Sequence, residues 1–293
     1  MGKSKVYFCR EVSPSKLVDM YKLLGKELTG NVCVKVHSGE EGNQNYLRPE
    51  FMKEIIGYVN GTVVECNTAY AGERNTTEKH LKTIERHGWN KLYDVDLMDR
   101  EGPDYVVPVK NGVHLKENYL GKNITNYNSC LVISHFKGHP MGGFGGALKQ
   151  LSIGFASSEG KSWIHSAGTN KDQYTLWDNL PPQDHFLESM AEAASSVVEF
   201  FKGNMVFINV MANMSVDCDC CEIAEDPCMK DMGILISLDP IAIDQACIDL
   251  VMNSDDPGKE HFMERVNSRN GIHTIERASE LGFGSREYEL IEV

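Results

Sequence analysis

The sequence lacks the marks of several broad classes. No apolar run is long enough to span a bilayer. Met1-Gly2-Lys3-Ser4-Lys5 leads straight into Val6-Tyr7-Phe8-Cys9, with no apolar stretch of secretory type. Val6 stands where a myristoylation signal needs Ser or Thr. Basic residues are scarce, 29 Lys and Arg against 42 Asp and Glu, for a net charge of -13. Such a surface repels a phosphate backbone and anionic lipid alike, so neither nucleic acid nor a membrane is the expected partner. Repeats and low-complexity tracts are absent. A P-loop is absent too, and the dinucleotide pattern that begins at Gly143 fails at Leu148. These absences point to a cytoplasmic globular protein.

What the chain does have is short apolar runs alternating with helical patterns. Lys5–Cys9, Val32–His37, Thr62–Cys66, Cys130–His135, Met205–Val210 and Gly233–Leu238 read as buried strands. Pro49–Tyr58 opens with a first-turn proline, and Phe186 to Phe201 places apolar residues at helical spacing. Ile241–Met252 follows Asp239-Pro240, an N-cap and first-turn pair. This alternation predicts one α/β domain over residues 1–293, with internal subdivision near 100–128. The sheet should be mostly parallel, with helices on both faces and a ligand cleft at the carboxyl ends of the strands. The unusual residues follow strands: His37-Ser38-Gly39, Asn67-Thr68, His135 to Gly146 and Asn213 to Cys228.

Three segments carry candidate chemistry. In an extended Ser134–Pro140, His135, Lys137 and His139 share one face, which suits an anionic ligand and acid–base work. The next segment, Met141 to Lys149, contains Gly142, Gly143, Gly145 and Gly146. Those glycines let backbone N–H groups approach a ligand, and a helix beginning at Ala147 would favour an anion, with Lys149 beside it. The third is Asp217-Cys218-Asp219-Cys220-Cys221, followed by Asp226-Pro227-Cys228. Nine cysteines without an export signal belong to a reducing compartment. Cys9, Cys33, Cys66, Cys130 and Cys247 sit in apolar runs and read as core thiols. The crowded four do not. If extended, Cys218 and Cys220 face one way and Cys221 the other, so Cys-x-Cys chelates a soft metal with Cys228 returning as a third ligand. A histidine of the 135–139 segment, another cysteine or water would complete the set. The spacing is neither the doubled Cys-x-x-Cys of a zinc ribbon nor the ferredoxin run.

Weaker signals are Asp94, Asp96 and Asp99, read as a solvated acidic loop, and Lys161 to His165, which follows the glycines and suits the same pocket. Asp239 and Asp244 read as helix-starting residues.

The run Ser134-His135-Phe136-Lys137-Gly138-His139, with Gly142-Gly143-Phe144-Gly145-Gly146-Ala147-Leu148-Lys149-Gln150-Leu151, resembles the core motif of the family called domain of unknown function 362. So does Asp217-Cys218-Asp219-Cys220 with Asp231-Met232-Gly233 and Asp239-Pro240-x-Ala242-x-Asp244-Gln245-Ala246. The resemblance runs from Val36-His37 to about Leu250. It implies an iron–sulfur association, since many members carry ferredoxin-type cysteines in an extra segment that this sequence lacks. The joint expectation is a metal- or iron–sulfur-binding protein, the metal being zinc or iron, with a cleft for a small anionic ligand. A redox partner protein follows if the site carries electrons. The alternatives are a metal-independent enzyme on a phosphorylated or carboxylated small molecule, and a non-catalytic metal carrier.

Overall fold

A computed structural model describes residues 3–293. In chain order the strands are β1 Ser4–Cys9, β2 Val32–Lys35, β3 Thr62–Glu65, β4 Val95–Leu97, β5 Tyr105–Pro108, β6 Glu117–Leu120, β7 Ser129–His135, β8 Lys137–His139, β9 Gly143–Gly145, β10 Met205–Met211, β11 Gly233–Ser237 and β12 Tyr288–Glu292. The helices are α1 Pro14–Leu23, α2 Lys53–Val59, α3 Thr77–Arg86, α4 Trp89–Leu92, α5 Ala147–Phe155, α6 Ser158–His165, α7 Gln183–Phe200, α8 Pro240–Met252, α9 Lys259–Ser268 and α10 His273–Leu281.

Eight strands form the central sheet in the order β12-β1-β11-β10-β7-β2-β3-β4. β11 is antiparallel to both its neighbours, and every other pairing is parallel. The sheet is therefore mostly parallel, as expected. Strands buried on both faces need apolar residues throughout, which is why β7, β10 and β11 read as continuous apolar runs. Two cores flank the sheet. One packs Leu17, Met20, Ile55 and Trp89 of α1, α2 and α4 against Val34 and Ile133, and the other packs Leu151, Ala194, Ile243 and Phe262 of α5, α7, α8 and α9 against Val132 and Phe207. Helices thus cover both faces.

All six sequence-read strands lie in this sheet. β4 and β12 escaped notice because both are edge strands, β4 only three residues long with Asp96 at its centre and β12 exposing Glu289 and Glu292. The antiparallel direction of β11 also escaped, since Gly233–Ser237 is buried on both faces like its parallel neighbours. The 100–128 stretch holds a separate hairpin, β5 with β6. Val109 and Leu115 of its loop pack on Phe186, Leu187 and Met190 of α7. No helix among the described residues is long and apolar enough to cross a membrane.

Capping follows local chemistry. Asp239 accepts the N–H groups of Ile241 and Ala242 at the start of α8. Asp244, read as a starter of that same helix, instead crosses to α5, where it accepts the N–H groups of Ala147 at 2.7 Å and Leu148 at 2.9 Å.

Candidate functional site

The cysteine segment forms a turn and not an extended run. Cys221 N–H donates to the Cys218 carbonyl at 2.9 Å, and Asn43 Nδ2 donates to the carbonyls of both Cys218 and Cys221. Gln44 and Asn45 donate to the carbonyls of Ala224 and Glu225, so the loop after β2 braces the loop after β10. Within this turn Cys218, Cys220 and His139 bring one ligand atom each to within 4.8 Å of one another. Cys220 Sγ lies 3.9 Å from His139 Nε2, and Lys149 Nζ donates to Cys218 Sγ at 3.4 Å. Cys221 follows Cys220 in the turn, and its interaction with Cys220 lowers its pKa. Cys228 does not join it. Its thiol donates to the Met214 carbonyl, and its neighbouring charges are Asp256 and Glu225, because the acidic loop carries it away from the turn.

The two thiols are shifted in opposite directions. Burial pushes Cys218 up, but the Cys220 hydrogen bond, then Lys149, Lys137 and His139, outweigh it and hold Cys218 well below the ordinary thiol range. Cys220 is pushed well above it by its interactions with Cys218 and Cys221 and by burial.

His135 and Lys137 do not line the cavity beside the turn. Their anion is internal. Asp219 places Oδ1 2.8 Å from His135 Nδ1 and Oδ2 3.0 Å from Lys137 Nζ, an ion pair without hydrogen-bond geometry at Oδ2. His135 Nε2 donates to the Ala212 carbonyl at 2.6 Å. Both ring nitrogens face acceptors, so the ring serves both only as a cation. Burial alone would raise the Asp219 carboxyl, yet His135 and Lys137 hold it well below the usual carboxylate range.

The glycines are likewise spoken for. A Cβ on Gly146 would meet Asp244 Oδ1 at 2.4 Å, and one on Gly143 would meet the Gly271 backbone at 2.8 Å with φ +78°. Gly142 backs onto Met190 and His139, and Gly145 onto Lys149. The positive end of α5, expected to attract an external anion, is occupied by the Asp244 carboxylate. These glycines permit close packing of the chain on itself.

A cavity of about 240 Å³ opens beside the turn, smaller than the roughly 300–1,000 Å³ of drug-sized sites. It lies where expected, at the carboxyl ends of β2 and β3 and against the segments that follow β7 and β10. Cys220, His139 and Lys149 line one end, and Lys35, Glu65, Tyr70 and Arg74 another. Lys161, His165 and Trp177 close it, so the polar-aromatic segment 161–165 does reach the pocket. Lys35 and Glu65, from adjacent strands, pair at 2.5 Å, and Arg74 pairs with Glu40 and Glu65. Burial opposes ionisation of Glu65, but Lys35, His37 and Arg74 keep its carboxyl well below the ordinary range. A signal for this pair existed in the sequence: a lysine and a glutamate, each interrupting an otherwise apolar strand. Asp219, Asp244 and Arg74 left no such mark.

Backbone donors fix the tautomers of the cavity histidines. His139 Nδ1 accepts the N–H groups of Met141 and Gly142, and His37 Nδ1 accepts that of Gly39. The proton of each neutral ring therefore sits on Nε2. Burial, then Arg74, lowers His37 to about 4, and burial, then Lys149, lowers His139 to about 4. His165 is opposite. Its Nδ1 donates to the Lys161 carbonyl at 2.7 Å, leaving Nε2 as a lone pair, and burial lowers it to about 3.

The Asp94–Asp99 segment is not a solvated loop. Asp96 accepts from Asn123 and Tyr127, and Asp99 accepts the Asn67 and Ser158 N–H groups, so only Asp94 is exposed. Cys9, Cys33, Cys66, Cys130 and Cys247 are buried free thiols, as read.

The family model for a domain of unknown function, DUF362, matches residues 32–249. The chain belongs to that family. The match runs from β2 into α8, and takes in every cavity-lining residue of this DUF362 protein. No curated protein matches it. Among solved structures, the lactate racemase apoprotein from Thermoanaerobacterium thermosaccharolyticum is 13% identical, with a TM-score of 0.42, covering 70% of this chain and 50% of that one. A structural-genomics protein from Thermotoga maritima is 12% identical, with a TM-score of 0.39, covering 92% of this chain and 59% of that one. The DUF362 chain therefore spans between half and three fifths of the length of these chains.

Proposed function

We propose that this protein holds a soft transition metal, zinc or iron, at the Cys218–Cys221 turn and admits a small anionic ligand to the adjoining cavity. The observation that carries the reading is the convergence of Cys218, Cys220 and His139 within 4.8 Å, with Lys149 on the Cys218 sulfur. Thiolates select soft ions, and Lys149 balances their charge. Sulfur supply favours a single ion over a four-iron cluster, which needs four cysteines, because Cys228 lies away from the turn. His139 fits as a ligand only if Nε2 gives up its proton, which its two backbone donors at Nδ1 oppose. Cys218 and Cys220 are therefore the anchors, with Cys221 the next sulfur along the turn.

When bound, such a metal supplies redox or Lewis-acid chemistry. The chain's own residues do the rest. Lys149 and the Nε2–H of His139 stabilise negative charge at the turn, and Lys35 and Arg74, paired with Glu65, set the field on the ligand side. A small anion suits a lining in which Lys35, Arg74, Lys149 and Lys161 face one carboxylate, Glu65. Ala69, Pro140, Met141, Ile153 and Trp177 supply the apolar wall.

Anaerobic purification with elemental analysis tests the metal. Wild type should carry stoichiometric metal, and Cys218→Ser/Cys220→Ser should lose it. Equal metal in both sinks the reading. Brown colour would indicate iron–sulfur, and a colourless zinc protein a single ion. The tautomer of His139 favours a second reading, a metal-independent enzyme on a carboxylated small molecule, which a metal-free wild type with ligand affinity would support.

A further inference from the structure

Lys161 is the cavity lysine that the metal reading leaves unused. It sits on α6 and is 7% exposed. The one hydrogen bond of its Nζ goes to the carbonyl of Ala156, the residue that closes α5, at 2.6 Å. Among the described residues no carboxylate oxygen lies within 4.0 Å of Nζ, whereas Lys35 pairs with Glu65 and Lys149 reaches the Cys218 sulfur. Two of its three N–H positions are thus unused in a confined space lined by Trp177, Ile153 and Met141. A buried ammonium with no carboxylate in direct contact is expensive to keep, and burial lowers its pKa even though Cys66, Asp99 and Glu65 act to raise it. Desolvation beside a second cation is the setting that makes a lysine amine nucleophilic.

We infer that Lys161 is a carbonyl-binding residue that forms an imine with a small 2-oxo carboxylate. The neutral amine's lone pair attacks the carbonyl carbon as the C=O π pair moves to oxygen, giving a carbinolamine. The nitrogen lone pair then forms C=N as the C–O bond breaks, and oxygen leaves as water, carrying the hydrogen passed to it from nitrogen on attack and the proton that the ammonium had shed to solvent before attack. Overall, ammonium plus ketone gives iminium plus water, with charge conserved and no external oxidant or reductant. His165 Nε2, the unprotonated ring nitrogen of this cavity, offers the hydroxyl of the carbinolamine an acceptor. The carboxylate answers the excess of Lys35, Arg74 and Lys149 over Glu65.

The inference rests on the anionic-ligand reading of the cavity and is independent of the metal. The test is incubation of the full chain with pyruvate and cyanoborohydride, followed by peptide mapping. One reduced adduct should appear, confined to the Lys161 peptide, and Lys161→Met should abolish it while keeping the circular dichroism of wild type. Absence of the adduct, or adducts only at Lys149 or exposed lysines, overturns the inference and returns Lys161 to a helix-capping role. If Lys161→Met does not fold, the wild-type map decides alone. Pyruvate that raises the melting temperature without trapping at Lys161 also overturns it, yet leaves the anionic-ligand cavity standing.

Discussion

At Asp219 a single side chain decides the fate of two others. Its carboxylate is 1% exposed and lies between His135 and Lys137, both also buried. Removing one member of a buried ionic group strands the rest without solvent or partner. Asp219→Asn should therefore cost about 3–5 kcal/mol, read as a shift in the urea midpoint at constant slope. A loss near zero would mean that the cations find another anion. Sequence spacing placed His135 and Lys137 on one face and expected an anionic ligand there; in the structure both side chains meet the Asp219 carboxylate. Spacing missed that the anion stands between the two cysteines, because a turn alternates side chains differently from the extended segment assumed.

At the level of elements, α5 begins without a cap of its own and borrows one from α8. Asp244 is completely buried and also accepts from Asn209 Nδ2 at 2.7 Å. Burial raises its carboxyl from 3.8 to about 6, despite the three donors. The folded state thus holds this proton to higher pH than the unfolded chain does. Stability from this group is greatest below the unfolded value, falls as pH rises to about 6, and is level above. Asp244→Asn should flatten that part of the stability profile, measured as urea midpoints across the window. An unchanged slope would assign the dependence to other groups.

Over the whole molecule, the β5–β6 hairpin and the C-terminal helices are tied through α7. Glu192, fully buried, accepts the N–H groups of Val113, His114 and Leu115 and pairs with Arg277 of α10. One turn earlier Glu188 bridges His114 at 2.5 Å and His273 at 3.0 Å. Burial opposes protonation of His273, but Glu188 and Glu276 raise its pKa above 6.5. A raised histidine contributes fully below its unfolded value and loses that contribution as pH rises through the folded one. The melting temperature should therefore fall between pH 6 and 8 in part through this contact. Glu188→Gln should shrink that difference. An identical fall in the variant would remove the bridge from the account.

The sequence by itself determined the class of fold and the neighbourhood of the site. Apolar runs buried on two faces must become central strands, and the polar residues that follow them must gather at the strands' carboxyl ends, so Cys220, His139, Lys149 and Lys161 were all within reach. Only tertiary structure decided which polar groups satisfy one another. Asp219, Asp244 and Glu65 turned out to be the internal anions that His135, Lys137, the start of α5 and Lys35 required. Periodicity reports which way a side chain leaves its own element. It carries no information about what a different element, a hundred residues away, places opposite.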